Sequence, residues 1–172
     1  KKHTEEMSFA EYLELVERQP WVAYSAYQRL YNMIIGPGYY TQERYRRPVS
    51  RYKFFEDPEI PIFGLHNTLE SLVSHIHAAA KWYGPERRIM LLCGPVGSSK
   101  STICRRLKKG MEYYSQSDQG AIYSFNWVNV KDFDIKDTSP CPMNDDPLKL
   151  LPSYMRPDAE KRLNDKLKTM MV

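Results

Sequence analysis

A parallel α/β sheet flanked by helices, preceded by a small helical segment, is the fold class that this sequence predicts, and three observations predict it. Ile89-Met90-Leu91-Leu92-Cys93 is a short continuous apolar run, the pattern of a strand buried on both faces of a parallel sheet. A glycine- and serine-rich turn from Gly94 to Ser99 follows it directly and leads into a helical pattern through about Tyr114. Ala121 to Val130, rich in aromatic and β-branched residues, then reads as another strand beyond the polar turn 115–120, so that strand, helix and strand suggest one βαβ unit.

The N-terminal elements are read from caps and periodicity. Ser8-Phe9-Ala10-Glu11 has the spacing of a capping box, and Phe9, Tyr12, Leu13 and Val16 recur on one helical face until Pro20 interrupts. Val22, Ala26, Leu30 and Met33 form a second stripe flanked by Tyr27 and Ile34, stopped by Gly36-Pro37-Gly38. From Tyr39 to Pro61 aromatic and basic residues alternate without a clear period, and Pro48, Pro58 and Pro61 predict an irregular connecting arm. Leu65, Leu69, Leu72, Val73, Ile76 and Ala80 have helical spacing, with Lys81 in the last turn and Gly84-Pro85 at the end. Past the second strand, Asp132, Asp134 and Asp137 lead into a proline-punctuated loop and a short polar C-terminal helix. The expected organisation is a helical segment over 1–38, a connecting arm over 39–61 and an α/β domain over 62–172.

Composition bounds these readings. With 172 residues, 42% of them hydrophobic, the chain suffices for one ordinary domain plus an appended segment. A net charge of +4 is compatible with a polyanionic partner but does not require one. Cys93, Cys104 and Cys141 form no CxxC pair and read as reduced thiols. No stretch approaches the roughly 20 apolar residues that span a bilayer, and charges rather than an apolar core follow Lys1-Lys2-His3, so a cytoplasmic setting is expected.

One motif carries chemistry. Gly94-Pro95-Val96-Gly97-Ser98-Ser99-Lys100-Ser101 follows the phosphate-binding loop pattern G-x-x-x-x-G-K-[ST] except that Ser99 replaces glycine. Small residues let successive backbone N–H groups curl round a phosphate and the following helix points its positive N-terminus inward. Lys100 is then expected to hold the β- and γ-phosphates, Ser101 to ligate Mg²⁺, and the backbone from Gly94 to Thr102 to cradle the oxygens. ATP and Mg²⁺ are the expected ligands, with Lys100 and Ser101 as the catalytic pair. The Cβ of Ser99 predicts weakened rather than abolished binding.

With these blocks in view the sequence resembles the bacterial PrkA family, serine protein kinases built on an AAA+ ATPase module. The resemblance runs through the N-terminal helices, Phe63-Gly64-Leu65 with the helix after it, Ile89 to Gly97, and the loop from Ser139-Pro140 through Asn144-Asp145-Asp146-Pro147-Leu148. It implies a P-loop NTPase of the AAA+ kind that couples ATP to phosphorylation of a protein substrate, and it nominates Phe63, Gly64 and Leu65 as adenine contacts. Family members usually carry Gly-Gly-Gly-Lys-Ser where Gly97-Ser98-Ser99-Lys100-Ser101 stands here. A Walker B carboxylate is not recognisable, since Asp132, Asp134 and Asp137 follow no run of four apolar residues. In the family it lies farther along, so the resemblance implies an incomplete module within a longer protein, and AAA+ analogy implies assembly into a ring.

Two other function classes share these residues: an ATP-driven remodeller or protease-like machine using the same loop, and a non-catalytic protein- or nucleic-acid-binding module whose loop has decayed. Tyr39, Tyr40, Arg44, Tyr45, Arg46, Arg47, Arg51, Tyr52 and Lys53 mix cations with stacking rings as single-strand binders do, but an arm packed on its own module or on a neighbour is favoured. His66, His75 and His77 are placed wrongly for one metal site on a helix.

Overall fold

A computed structural model describes residues 6–44, 46–128 and 138–156 of the chain. The chain divides into two compact units, Tyr24–Ser117 and a second made of Lys1–Ala23 with Asp118–Val172.

In the second unit the capping box forms as read. Ser8 Oγ accepts from Glu11 N, the Glu11 carboxylate accepts from Ser8 N at 2.6 Å, and α1 runs Phe9–Arg18. Tyr12 and Val16 are buried with Val22, which lies in a 3-10 turn, Pro20–Ala23, rather than on the second helix. The Tyr12 hydroxyl donates to Asp146 Oδ1 at 3.2 Å, while Asp146 accepts from Leu148 N and so caps the 3-10 turn Pro147–Leu150.

The larger unit begins with α2, Ala26–Ile35, whose capping box is Ser25 with Gln28. The expected connecting arm is instead an antiparallel hairpin of β1, Tyr39–Arg44, and β2, Arg47–Tyr52, with Gln42 opposite Val49 and Tyr39 opposite Tyr52. Pro48 is tolerated because a two-stranded sheet has only edges, and Arg46 takes φ 60 at the turn. Ser50 N donates to Glu70 Oε1 at 2.9 Å, which ties the hairpin to α3, His66–Ala80. That helix buries Leu69, Leu72, Val73, Ile76 and Ala80, the stripe that its spacing predicts.

The core gathers Met33 and Ile34 of α2, Phe54 and Phe55 of the 3-10 turn Lys53–Glu56, Ile62, the α3 stripe, and Ile103 of α4, Lys100–Tyr114. Three contacts fasten α4. Arg106 is buried, donates from Nε to Phe54 O at 2.8 Å, pairs with Asp57 at 2.8 Å and lies 4.4 Å over the Phe54 ring. Lys109 pairs with Glu59. At Gly110 an added Cβ would fall 2.6 Å from the Phe54 ring and 2.8 Å from Met33 Sδ, so glycine here permits close approach.

The parallel sheet does not form among the described residues. Ile89 is 95% and Leu91 79% exposed in a segment with no strand partner among the described residues, and only Leu92 of that run packs on the core. Of the second expected strand the described residues form β3, Asn126–Val128, paired antiparallel with β4, Thr138–Pro140, in the other unit. A strand buried on both faces needs hydrogen-bonded neighbours and cover on each side, and β3 has taken β4 as its partner instead. No βαβ unit results among the described residues. Asp132, Asp134, Asp137 and the expected C-terminal helix lie outside the described residues.

Candidate functional site

The core holds α4 through Ile103, Arg106 and Gly110, and so fixes where its N-terminus points. The first turn is bare: α1 and α2 have serine caps, whereas the side chain of the α4 N-cap, Ser99, accepts no backbone hydrogen bond. Ile103 N donates to Ser99 O at 2.9 Å, which leaves the N–H groups of Lys100, Ser101 and Thr102 outside the helical ladder. Free donors at the positive end of a 15-residue helix form an arrangement suited to an anion.

The loop before it is tightly wound. Gly97 has φ 80 and Ser99 φ 57, so the chain twice enters the left-handed region, once at glycine and once at a residue with a Cβ. Lys100 folds back across the loop and donates to Gly94 O at 2.7 Å, Pro95 O at 2.6 Å and Ser98 Oγ at 3.0 Å. Ser98 Oγ in turn donates to Pro95 O at 2.8 Å. A Cβ at residue 94 would lie 2.8 Å from Ser98 Oγ, which accounts for Gly94. Pro95 and Val96 are exposed at the tip, and Ser101 is exposed on the first turn of α4.

An open groove of about 690 Å³ starts at Lys100 and Ser101 and continues past Leu92, Cys104, Arg105 and Lys108. Its size is in the range of small-molecule sites, about 300–1,000 Å³, and its cations suit a polyphosphate. The donors fit the phosphate end of ATP. For Mg²⁺ the chain offers the Ser101 hydroxyl; among the described residues no three His, Cys, Asp or Glu side chains converge on a metal position. A magnesium ion here would be held by Ser101 together with phosphate oxygens and water.

Phe63, Gly64 and Leu65 line other grooves. Phe63 is 81% exposed beside Tyr40 and Arg51, while Gly64, with φ 76, and Leu65 line a groove with Arg47 and Val49. Leu65 precedes α3 and packs partly on the core. The hairpin cations are partly engaged: Arg51 pairs with Glu56 at 2.8 Å and donates to Gln42 at 2.9 Å, and the Tyr40 hydroxyl donates to Glu56 at 2.8 Å, which raises the pKa of that phenol. His77 stacks on Tyr31 at 4.5 Å, and its pKa is lowered by burial and then by the charge of Lys81.

Sequence reasoning missed the clasp of Arg106 on Phe54 and Asp57, although its signals were present. An arginine and a glycine on the apolar stripe of Ile103 and Leu107 mark a helix face that something approaches closely.

Comparison with known proteins gives the family. A family model described as the PrkA AAA domain matches residues 7–172. Over 154 residues, 89% of this chain and 21% of the relative, the sequence is 40% identical to "ATP-dependent protease PrkA" of Bacillus subtilis. It is 46% identical over 85 residues to an "Uncharacterized protein in gldA 5'region" of Geobacillus stearothermophilus, covering 49% of this chain and 80% of that one. To "Serine/threonine kinase YeaG" of Escherichia coli K12 it is 35% identical over 66 residues, 38% of this chain and 10% of the relative. The chain thus spans about a fifth of the Bacillus protein and a tenth of the Escherichia one. No solved structure gives a significant match.

Proposed function

The chain belongs to the PrkA AAA-domain family, and from that premise we propose that it is the ATP-binding module of a longer protein in which ATP binding and hydrolysis drive phosphorylation of serine or threonine in a protein substrate. The observation that carries the nucleotide half is the combination of the Lys100 ammonium folded across the Gly94–Ser99 loop with an uncapped α4 N-terminus directly behind it. ATP supplies the phosphoryl group and the free energy. This chain's residues hold it: Lys100 neutralises β- and γ-phosphate charge, the backbone N–H groups from Val96 to Thr102 donate to the oxygens, and Ser101 takes Mg²⁺. Phe63, Gly64 and Leu65 remain the proposed adenine contacts, and assembly into a ring is part of the same proposal.

A second reading, ATP-driven proteolysis, is favoured by the name of the Bacillus relative, which matches over 89% of the chain. The kinase reading draws on the Escherichia relative, matched over 38%. Both use the same phosphate loop.

Thermal unfolding with rising Mg-ATP tests the shared part. A ligand at a hundred times its Kd stabilises the folded state by about 2.7 kcal/mol, a rise of about 5–10 °C for a chain of this size, and Lys100→Ala should abolish it. No rise in the native chain would favour a non-nucleotide binding module. The intact protein, given ATP labelled on the γ-phosphate and an unstructured protein substrate, then separates the two activities: label in the substrate supports the kinase, and unlabelled cleavage products support the protease.

A further inference from the structure

Lys100 has three N–H donors, and its own loop takes all three. Two go to backbone carbonyls, Gly94 O at 2.7 Å and Pro95 O at 2.6 Å, which any residues at those positions would present. The third goes to a side chain, Ser98 Oγ, at 3.0 Å. Ser98 is itself held: its hydroxyl hydrogen is used on Pro95 O at 2.8 Å, so its lone pairs turn toward the ammonium, and its backbone N–H also approaches Pro95 O at 3.4 Å. The half-buried hydroxyl sits over the first residue of the loop, 2.8 Å from where a Cβ at Gly94 would be.

The geometry points to Ser98 as a latch: its hydroxyl holds the Lys100 ammonium down on neutral oxygens of the loop, and so sets how strongly the loop binds phosphate. The consequence for affinity rests on the nucleotide reading above. Phosphate oxygens must take over N–H donors that are already engaged. The Ser98 contact is the one that yields, because it is the longest of the three and its acceptor alone can rotate away about a side-chain bond. In a ligand-free loop without that hydroxyl, Lys100 keeps two partners and one free donor, and an arriving anion displaces less. Ser98 is therefore an affinity-determining residue that acts through Lys100.

The test uses the intact protein with Ser98→Ala, Ser98→Thr and Lys100→Ala. Without nucleotide, Lys100 Nζ is acetylated by a water-soluble amine-reactive ester and its labelling rate is read by peptide mass spectrometry. Ser98→Ala should label several-fold faster than the native protein, and Ser98→Thr, which keeps a hydroxyl, at about the native rate. Mg-ATP should bind Ser98→Ala about three- to tenfold more tightly, the worth of roughly one hydrogen bond, with Ser98→Thr near native. Equal labelling of the native and Ser98→Ala proteins overturns the latch, and so does weaker Mg-ATP binding to Ser98→Ala, which would make the hydroxyl a phosphate ligand. If the native protein binds Mg-ATP no better than Lys100→Ala does, the nucleotide reading has failed instead, and the labelling rates alone decide whether Ser98 restrains the lysine.

Discussion

Replacing Ser99 with glycine isolates what the departure from the glycine-rich loop costs. Ser99 sits at φ 57, ψ 17 as the N-cap of α4, where it makes no capping hydrogen bond that would compensate. A left-handed conformation costs a residue with a Cβ about 1–2 kcal/mol. Glycine removes that cost but adds about 0.5–1 kcal/mol of unfolded-state entropy, so Ser99→Gly should stabilise the ligand-free chain by a net of about 0.5–1 kcal/mol. For a chain of 172 residues this is a rise in Tm of about 1–4 °C, measurable by scanning calorimetry against the native protein. Ser98→Gly is the control. Ser98 is not among the residues with positive φ, so glycine there brings the entropy cost with no relief and also removes the hydroxyl bonded to Lys100 and Pro95 O, and Tm should fall. Mg-ATP adds a second readout: if the Ser99 Cβ crowds the phosphates, the ligand-induced rise will be larger in Ser99→Gly than in the native chain. A Tm for Ser99→Gly at or below the native value would refute the strain argument, and an unchanged ligand increment would refute the crowding argument alone.

Three further perturbations test how α4 is held. Gly110→Ala gains about 1 kcal/mol of helix propensity, but its Cβ meets the Phe54 ring at 2.6 Å and Met33 Sδ at 2.8 Å. Phe54 is buried and held edge-on to Phe55, so overpacking of about 1–3 kcal/mol should dominate and lower the denaturant midpoint. Arg106→Met keeps much of the stem but leaves Phe54 O without its donor, a loss of about 1–3 kcal/mol, readable in the same denaturation series; an unchanged midpoint would show that the clasp contributes nothing. Asp57 is held below the ordinary carboxylate range first by the Glu59 N–H, at 2.8 Å, and further by Arg106, against partial burial. Its folded pKa is depressed, so its contribution is present above the unfolded carboxylate pKa and is lost as pH falls through the folded one. The native chain should therefore lose stability more steeply on acidification than Asp57→Asn does, and parallel pH profiles would contradict this assignment.

The helices were legible because their determinants are local. The Ser8 box with Glu11, the stop at Gly36-Pro37-Gly38 and the α3 stripe from Leu69 to Ala80 each specify hydrogen bonds and a buried face within a few turns of chain. The turn before α4 was legible for the same reason: Lys100 reaches its partners at Gly94, Pro95 and Ser98, all within six residues. Strands require partners that their own sequence does not name. Ile89–Cys93 has the composition of a doubly buried strand and has no strand partner among the described residues, while of the expected strand Ala121–Val130 the described residues form Asn126–Val128, whose partner is Thr138–Pro140. The hairpin at Tyr39–Tyr52 went unread because no Asn-Gly or Asp-Gly marks its turn. By itself, then, the sequence determined that α1, α2, α3 and α4 are helical and that a glycine- and serine-rich turn ending at Lys100 opens α4. Only the tertiary structure decided what fastens that helix, since Arg106 and Phe54 stand 52 residues apart and a buried charge is stable only where distant chain delivers its acceptors.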